Sequence, residues 1–226
     1  MGDFYGRGTN FPTFDTRNNI IYDFGGTATG LTQGKLKINY VANYIRPGPS
    51  SKARAPISVG PKSDIQFFIR DNIYEGHEAM TADNTKFFNN TEFEETNTDG
   101  AKAMKQEVRT VEQPFEAPRV TTVPAKELLD YVLPTVGASL PKRDSVDTRL
   151  VENVRNQTGK IIDSQTQVGG WPDLKMGDVP VDSDNDGIPD EWETKHGLNP
   201  NDPADASLLS KNGYSNIENY LNRTNL

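Results

Sequence analysis

Apolar and polar side chains alternate in two stretches of the first third of the chain. The apolar members are Leu36, Ile38 and Tyr40 in the first stretch, and Ile65, Phe67 and Ile69 in the second. Alternation with a period of two predicts β-strands that bury one face. A weaker version of the pattern, with Phe14 and Thr16 in the equivalent places, precedes both. The sequence therefore predicts three similar strands.

An asparagine follows each stretch at the same distance. The segments R-N-N-I-I-Y (17–22), V-A-N-Y-I (41–45) and R-D-N-I-Y (70–74) superpose on Asn19, Asn43 and Asn72, at intervals of 24 and 29 residues. A strand repeated at such intervals is typical of a solenoid with stacked coils. An amide in every coil can donate to one neighbour and accept from the other, which predicts an asparagine ladder. The alternative is three ordinary loop asparagines.

The segments after the repeats change in character. Residues 89–100 are polar and turn-prone, which predicts a lateral loop, and residues 109–123 contain two prolines, which favour an extended strap along the coils. A short helix should begin at Pro124 and bury a stripe made of Leu128, Leu129, Val132 and Leu133.

A second helix should begin at Asp144 or Ser145 and end near Gly159. Its predicted buried positions are Val146, Leu150, Val151 and Val154. We therefore divide the chain into terminal coils (1–95), a strap with two short helices (96–175) and a C-terminal module (176–226). The expected fold class is mainly β.

The amino-acid composition of the chain limits the kinds of partner that it can bind. The chain has 226 residues, 34% of them hydrophobic, a mean hydropathy of −0.70 and a net charge of −8. The acidic balance argues against a nucleic-acid partner and an anionic membrane surface. We find no apolar run long enough to span a membrane and no apparent signal peptide. The chain lacks cysteine, which excludes disulfides, and we expect a monomer.

Residues 182–193 (D-S-D-N-D-G-I-P-D-E-W-E) have the spacing of a twelve-residue calcium loop. The predicted ligands are Asp182, Asp184, Asp186, the backbone carbonyl of Ile188, Asp190 and Glu193. The alternative is a splayed, solvated acidic loop, but such a loop does not need Gly187 at its sharp turn. Calcium is favoured over magnesium because many flexible oxygen ligands are available. The loop resembles EF-hand and thrombospondin type 3 calcium loops.

The flanks of this loop predict a structural role for the ion. The entering residues 171–181 contain two prolines and a glycine, whereas a calcium sensor normally has a helix on each side. A short helix should follow from Asp190 to His196. A second loop is predicted around Asn212 and Gly213, but Leu208 and Ser210 occupy its first two ligand positions, so it should not hold an ion alone. The remaining acidic candidates are Asp202 and Asp205.

Several longer motifs resemble the C-terminal half of bacterial pectate lyases. They span residues 13–26, 38–49, 137–159, 168–174 and 212–222, together with the calcium loop. The resemblance implies a right-handed parallel β-helix and a secreted lyase that cleaves polygalacturonate by calcium-assisted β-elimination. In that family an arginine removes the proton at carbon five, and aspartates on the β-helix flank bind calcium.

The resemblance assigns no catalytic residue to this chain. The family's aspartates and arginine precede the segment equivalent to residues 17–22, and only sixteen residues precede it here. Arg7 is the sole arginine among those sixteen, and its surroundings do not match the family's arginine motif. We therefore expect a chain that begins within the coils and lacks the catalytic ones. The alternatives are a non-catalytic acidic-polysaccharide-binding or surface module, and a calcium sensor.

Four basic residues are candidates for binding an acidic polysaccharide: Lys35, Lys37, Arg46 and Arg70. They fall in or next to the predicted strands, where side chains of alternating direction face outward. The alternative is that they are simply solvated charges.

Overall fold

The computed structural model describes residues 12–31, 34–52, 54–60, 63–88, 107–139, 142–174 and 177–223. The chain forms two compact units, Met1–Pro172 and Asp173–Leu226. The first unit consists mainly of parallel strands with few helices. None of the helices in the described ranges is long and apolar enough to cross a membrane.

In the described part of the first unit the strands form three sheets, and every strand pair within them is parallel. Sheet 1 contains, in order, β1 (Thr13–Arg17), β4 (Gly34–Val41), β7 (Ser63–Arg70) and β9 (Glu107–Thr110). Sheet 2 contains β2 (Ile20–Tyr22), β5 (Tyr44–Arg46) and β8 (Ile73–Tyr74). Sheet 3 contains β3 (Thr29–Leu31) and β6 (Ile57–Val59). We call each stretch that gives one strand to successive sheets a coil.

The strand register confirms the alignment that the alternation predicts. Ile38 pairs with Phe67 on one side and with Phe14 on the other. The inward-facing side chains of the three sheets share one core with Phe87, which follows them in a 3₁₀ turn. The sheet residues of this core are Leu36, Ile38, Tyr40, Ile45, Ile57, Val59, Ile65, Phe67 and Tyr74. Because equivalent positions lie one above another, each coil extends the same apolar column.

The asparagine ladder is also confirmed. The Oδ1 of Asn43 accepts from the Nδ2 of Asn19 at 2.9 Å, and the Oδ1 of Asn72 accepts from the Nδ2 of Asn43 at 2.9 Å. The ladder continues to Asn84, which the sequence did not identify, because its Oδ1 accepts from the Nδ2 of Asn72 at 3.0 Å. Asn84 lies in the 3₁₀ turn Asn84–Phe87 that follows α1 (Glu78–Ala82).

A left-handed residue precedes each of the three repeated asparagines. The φ angles are 56° at Asn18, 51° at Ala42 and 60° at Asp71. This conformation turns the chain sharply between sheets 1 and 2 and leaves backbone groups without sheet partners. The side-chain amides of the ladder bond to some of these backbone groups. The Nδ2 of Asn43, for example, also donates to the carbonyl of Thr16 at 3.0 Å.

The predicted strap runs back along the coils. It begins after β9, where the Val111 N–H donates to the Phe67 carbonyl. Phe115 then exchanges two hydrogen bonds with the side chain of Asn39, both at 2.9 Å. Val123 exchanges two more with Asn18, at 2.7 and 2.8 Å. The strap thus contacts β7, then β4, then the corner after β1.

Two helices follow the strap, largely as predicted. A 3₁₀ turn (Ala125–Glu127) comes directly after Pro124 and leads into α2 (Leu128–Val132), while α3 (Ser145–Asn156) is capped by Asp144. Val151 is buried, but Leu150 is 48% exposed, so the prediction that Leu150 is buried was wrong. The predicted buried stripe of α3 was one residue too wide. Adjacent helical residues point about 100° apart, so Leu150 does not face the same way as Val151.

The second unit contains α4 (Asp190–His196), the 3₁₀ turn Asp205–Ser207 and α5 (Asn216–Asn222). Trp192 on α4 stacks on His196 at 3.9 Å and meets the edge of Tyr220 on α5 at 5.6 Å between ring centroids.

Candidate metal centre

The acidic loop is held in shape by its own hydrogen bonds. The Gly187 N–H donates to the Oδ2 of Asp182 at 3.0 Å, and the Ile188 N–H donates to the Oδ1 of Asp186 at 2.7 Å. Gly187 has a φ of 95°, and a Cβ there would lie 3.2 Å from the Cδ1 of Ile217. Glycine therefore suits this position both for its backbone conformation and for the space available.

Five carboxylates converge in two overlapping groups. One oxygen from each of Asp182, Asp184 and Asp186 lies within 4.8 Å of the others, and the same holds for Asp186, Glu193 and Asp205. Asp186 belongs to both groups. Four of these residues come from the loop, the last of them, Glu193, also lying on α4, and Asp205 begins a 3₁₀ turn.

Seven oxygens of these carboxylates are buried and have no hydrogen-bond partner. They are the Oδ1 of Asp182, both oxygens of Asp184, the Oδ2 of Asp186, both oxygens of Glu193 and the Oδ1 of Asp205. Burying an anionic oxygen without a donor is costly, and the cost grows when several anions face one another. A bound cation is the ordinary way to relieve both costs, so the donor set fits an oxygen-coordinated metal ion.

Glu193 is the most buried member, with no exposed side-chain surface. Its pKa is raised to about 7, first by burial and then by the negative charges of Asp184, Asp186, Asp205 and Asp190. Burial also raises the pKa of Asp184, with Asp186 and Asp182 adding to the effect. Both shifts indicate that the carboxylates of the metal-free protein resist full ionisation.

The structure brings four of the predicted side-chain ligands together and separates one. Asp190 belongs to neither group, because its Oδ1 accepts from the Ser183 N–H and its Oδ2 from the Ser183 hydroxyl, both at 2.7 Å. Asp205 joins the group, whereas Asp202 is exposed and accepts from the Ala204 N–H at 3.2 Å. Coordination by the predicted ligands stays a prediction.

The second loop of this unit is closed by a side-chain amide. The Nδ2 of Asn219 donates to the hydroxyl of Ser210 at 3.1 Å and to the carbonyls of Tyr214 and Ser215 at 3.3 and 3.0 Å. Ser210, Tyr214 and Asn219 stand at positions three, seven and twelve of the loop. An uncharged donor group therefore gathers oxygens of a kind that would otherwise coordinate a cation.

Three of the four basic candidates lie on the strands of sheet 1. Lys35 is exposed on β4, and the Nζ of Lys37 lies 5.6 Å from the centre of the Phe115 ring. Arg70, at the end of β7, forms an exposed ion pair with Asp71 at 2.7 Å. A role for these residues in binding a polysaccharide stays a prediction.

Arg46, on β5 of sheet 2, is 9% exposed. Its Nη1 donates to both carboxylate oxygens of Glu75, at 2.9 and 2.7 Å. Its Nε and Nη2 donate to the carbonyls of Val154 and Arg155 in the last turn of α3. A cation at a helix C-terminus is favourable, so these contacts fasten α3 to the coils. A polysaccharide would have to compete with them for Arg46.

The one arginine considered as a catalytic candidate, Arg7, lies outside the described residues.

No protein-family model matches this chain. Individual proteins do match. The probable pectate lyase C of Aspergillus flavus is 31% identical over 211 residues, which is 91% of this chain and 47% of that protein. The probable pectate lyase C of Aspergillus terreus is 32% identical over 214 residues, which is 92% of this chain and 48% of that protein.

This similarity supports a relationship to the pectate lyases. It agrees with the motifs quoted above, although these relatives are fungal and the bacterial relationship stays a prediction. The chain spans about half the length of the curated relatives that it matches. The sheets of parallel strands are compatible with a pectate-lyase-like β fold.

Proposed function

We propose that the chain is part of a secreted pectate lyase that cleaves polygalacturonate by calcium-assisted β-elimination. The observation that carries this proposal is the similarity to probable pectate lyase C proteins along 91% of the chain. In such a reaction, a cation paired with the uronate carboxylate acidifies the adjacent carbon and stabilises the charge that develops there. We assign the family's catalytic arginine and aspartates to no residue of the coils that the structure describes.

The proposed architecture is the terminal part of a right-handed parallel β-helix. It would comprise coils within residues 1–95, a strap with short helices within 96–175 and a calcium-loop module within 176–226. The supporting observations are the coil-by-coil register of three parallel sheets and the side-chain ladder at the corner. In a fold of this kind, each coil provides the template for the next.

The proposed cofactor of the C-terminal module is calcium. Its proposed ligands are Asp182, Asp184, Asp186, the carbonyl of Ile188 and Glu193, and the seven unpartnered oxygens support a cation at this place. The loop spacing also predicts Asp190 at the ninth position, which in such loops often acts through water. We propose that the ion fastens the loop to α4 and acts as a clamp and not as a sensor. At a hundredfold excess over its dissociation constant, such an ion stabilises the fold by about 2.7 kcal/mol.

Calcium binding is tested by calorimetric titration and by thermal melting with and without a chelator. We expect heat of binding from the wild-type chain and a lower melting temperature in chelator. Asp184→Ala removes two unpartnered oxygens and should abolish both responses, whereas Asp178→Ala, outside the loop, should preserve them. A wild-type chain that releases no heat and melts identically in chelator contradicts the calcium site.

Activity is tested by incubating the purified chain with polygalacturonate and calcium, while the ultraviolet absorbance of the unsaturated product is followed. We expect little or no product, because we assign no catalytic residue to these coils. Robust turnover would show that the catalytic machinery is present. Turnover by a longer form that includes upstream coils, with none by the present chain, is the result expected from the proposal.

A second candidate function is calcium-stabilised binding of an acidic polysaccharide without cleavage. It is favoured by the position of Lys35 and Lys37, two residues apart on β4 and directed to the same side of sheet 1. Binding assays with polygalacturonate distinguish it, since a Lys35→Gln and Lys37→Gln double variant should then lose affinity. Unchanged affinity in that variant removes this candidate.

A further inference from the structure

We propose that Asp205 is a direct ligand of the calcium ion and that Asp190 is not, so that the ion ties the turn Asp205–Ser207 to the acidic loop. This inference rests on the proposed calcium site. It changes the site from one formed by twelve consecutive residues into one closed by a distant segment. It also replaces a ligand that the loop spacing predicts with one that the fold brings in from outside the loop.

The surroundings of Asp205 fix its side chain toward the other carboxylates. Its Oδ2 accepts from the Asn199 N–H at 2.8 Å, which orients the carboxylate and leaves Oδ1 on the other side. That Oδ1 is buried and unpartnered, and the residue is 7% exposed. Asp205 offers an oxygen within 4.8 Å of oxygens from Asp186 and Glu193.

A purely structural role accounts for only one of the two carboxylate oxygens of Asp205. Accepting one hydrogen bond from Asn199 requires a single oxygen, which an asparagine could supply without a charge. A buried carboxylate beside Glu193, which has two unpartnered oxygens of its own, is repulsive unless a cation lies between them. The negative charge of Asp205 therefore has a use only when a metal ion is bound.

Asp190 has the opposite arrangement. Both of its oxygens are satisfied by Ser183, one by the N–H and one by the hydroxyl, and it forms the first residue of α4. Its carboxylate thereby fixes the start of the acidic loop to the start of the helix. In twelve-residue calcium loops the ninth position often acts through water, which agrees with a side chain that faces its own loop.

Coordination by Asp205 would extend the ion's influence beyond the loop. The carbonyl of Asp205 accepts from the Nδ2 of Asn216 at 2.8 Å, and Asn216 is the first residue of α5. The chain of contacts thus runs from the ion through the turn to the second loop. Calcium should consequently stabilise both halves of the C-terminal unit.

The test compares Asp205→Asn, Asp190→Asn and Asp202→Asn in the full chain by titration with calcium chloride. Asp205→Asn should weaken binding roughly tenfold or more, since ligand charge sets the affinity of such sites. Asp202→Asn is the matched control from the same segment, because that residue is exposed, and its affinity should stay within about twofold of wild type. Asp190→Asn should also bind within about threefold of wild type.

Thermal melting in chelator separates ligation from a structural role. An asparagine at position 205 can still accept from the Asn199 N–H, while it removes one charge from the repelling group. Metal-free Asp205→Asn should therefore melt above metal-free wild type, although its gain from added calcium is smaller. A lower melting temperature in chelator would assign Asp205 a structural role and overturn the inference.

The remaining outcomes are also decisive. If wild type binds calcium and Asp205→Asn binds it equally well, Asp205 is not a ligand, although the calcium site stands. If Asp190→Asn loses as much affinity as Asp205→Asn, the exclusion of Asp190 is wrong. If wild type itself shows no binding, the proposed calcium site fails, and this inference fails with it.

Discussion

The Oδ1 of Asn72 accepts two hydrogen bonds from Asn43, one from its backbone N–H at 2.8 Å and one from its side-chain amide at 2.9 Å. Asn43 repeats the arrangement toward Asn19, at 3.0 and 2.9 Å. Each asparagine thus replaces the sheet hydrogen bonds that the left-handed corner removes. The coils are joined at this corner by side chains as well as by strands.

Asn43→Ala should destabilise the first unit by about 3 kcal/mol, because buried groups of both neighbouring coils lose their partners. The groups that lose a partner include the Thr16 carbonyl and the backbone N–H of Asn19. Chemical denaturation measures the change. Asn19→Ala is the control, since Asn19 is exposed and should cost less. Equal effects of the two substitutions would contradict a ladder that acts mainly through its buried members.

Arg46→Met should lower the free energy of unfolding by about 2 to 3 kcal/mol, because it leaves the Glu75 carboxylate and the last carbonyls of α3 without a donor. The methionine retains most of the apolar stem. Arg155→Met is the matched control, since that arginine forms an exposed pair with Glu152 and should cost under about 0.5 kcal/mol. An unchanged melting temperature in Arg46→Met, with weaker polysaccharide binding, would instead favour a ligand-binding role.

The metal-free protein should lose stability as the pH rises from 5 to 8. The folded pKa of Glu193 lies near 7, above its usual value of 4.5, so the folded state holds a proton that the unfolded state releases. That contribution is complete below pH 4.5 and is lost as the pH passes 7. Melting in chelator across this range measures it, and Glu193→Gln should flatten the profile.

Calcium should reverse this pH dependence. The ion binds ionised carboxylates, so its affinity should increase over the same range and its binding should release protons. Titrations in buffers of different ionisation enthalpy detect the released protons. A metal-free melting temperature that rises with pH would contradict the assignment of a raised pKa to Glu193.

Asn219→Asp should destabilise the C-terminal unit by about 2 kcal/mol, because an anionic oxygen would replace an amide that donates to Ser210, Tyr214 and Ser215. Added calcium should not rescue the loop, since Leu208 and Ser210 provide no charge at its first two ligand positions. Thermal melting with and without calcium measures both effects. As a converse control, acidic residues placed at positions 208, 210, 212 and 219 together should raise the calcium stoichiometry by one.

Local patterns predicted the regular parts of the fold. The alternation aligned Ile38 with Phe67, because a strand with one buried face has an apolar residue at every second position of its sequence. The helix boundaries were equally local, since Asp144 caps α3 and Gly197 ends α4 in the left-handed conformation. The acidic spacing likewise indicated four of the converging carboxylates.

The features that sequence reasoning missed or could not single out depend on contacts between distant segments. Asn84, which was missed, closes the ladder from a 3₁₀ turn with none of the repeat around it. Asp205, which the sequence offers as a candidate alongside Asp202, reaches the carboxylates from outside the twelve-residue loop. Arg46 is indistinguishable by alternation from a solvated basic residue, yet it meets the end of α3. Asn84 had one local signal, a residue favoured at turns, which does not specify a partner.

The strap can form its hydrogen bonds only when the coils are stacked in the correct alignment. Its paired bonds to Asn39 and Asn18 require two successive coils to be present and correctly aligned, because a shift by one residue would turn each asparagine away. Docking of the strap therefore depends on the alignment of the sheets and joins residues 76 and 105 positions apart. Contacts so distant in sequence slow folding, so we expect the closing of the strap to be a slow step in the folding of this unit.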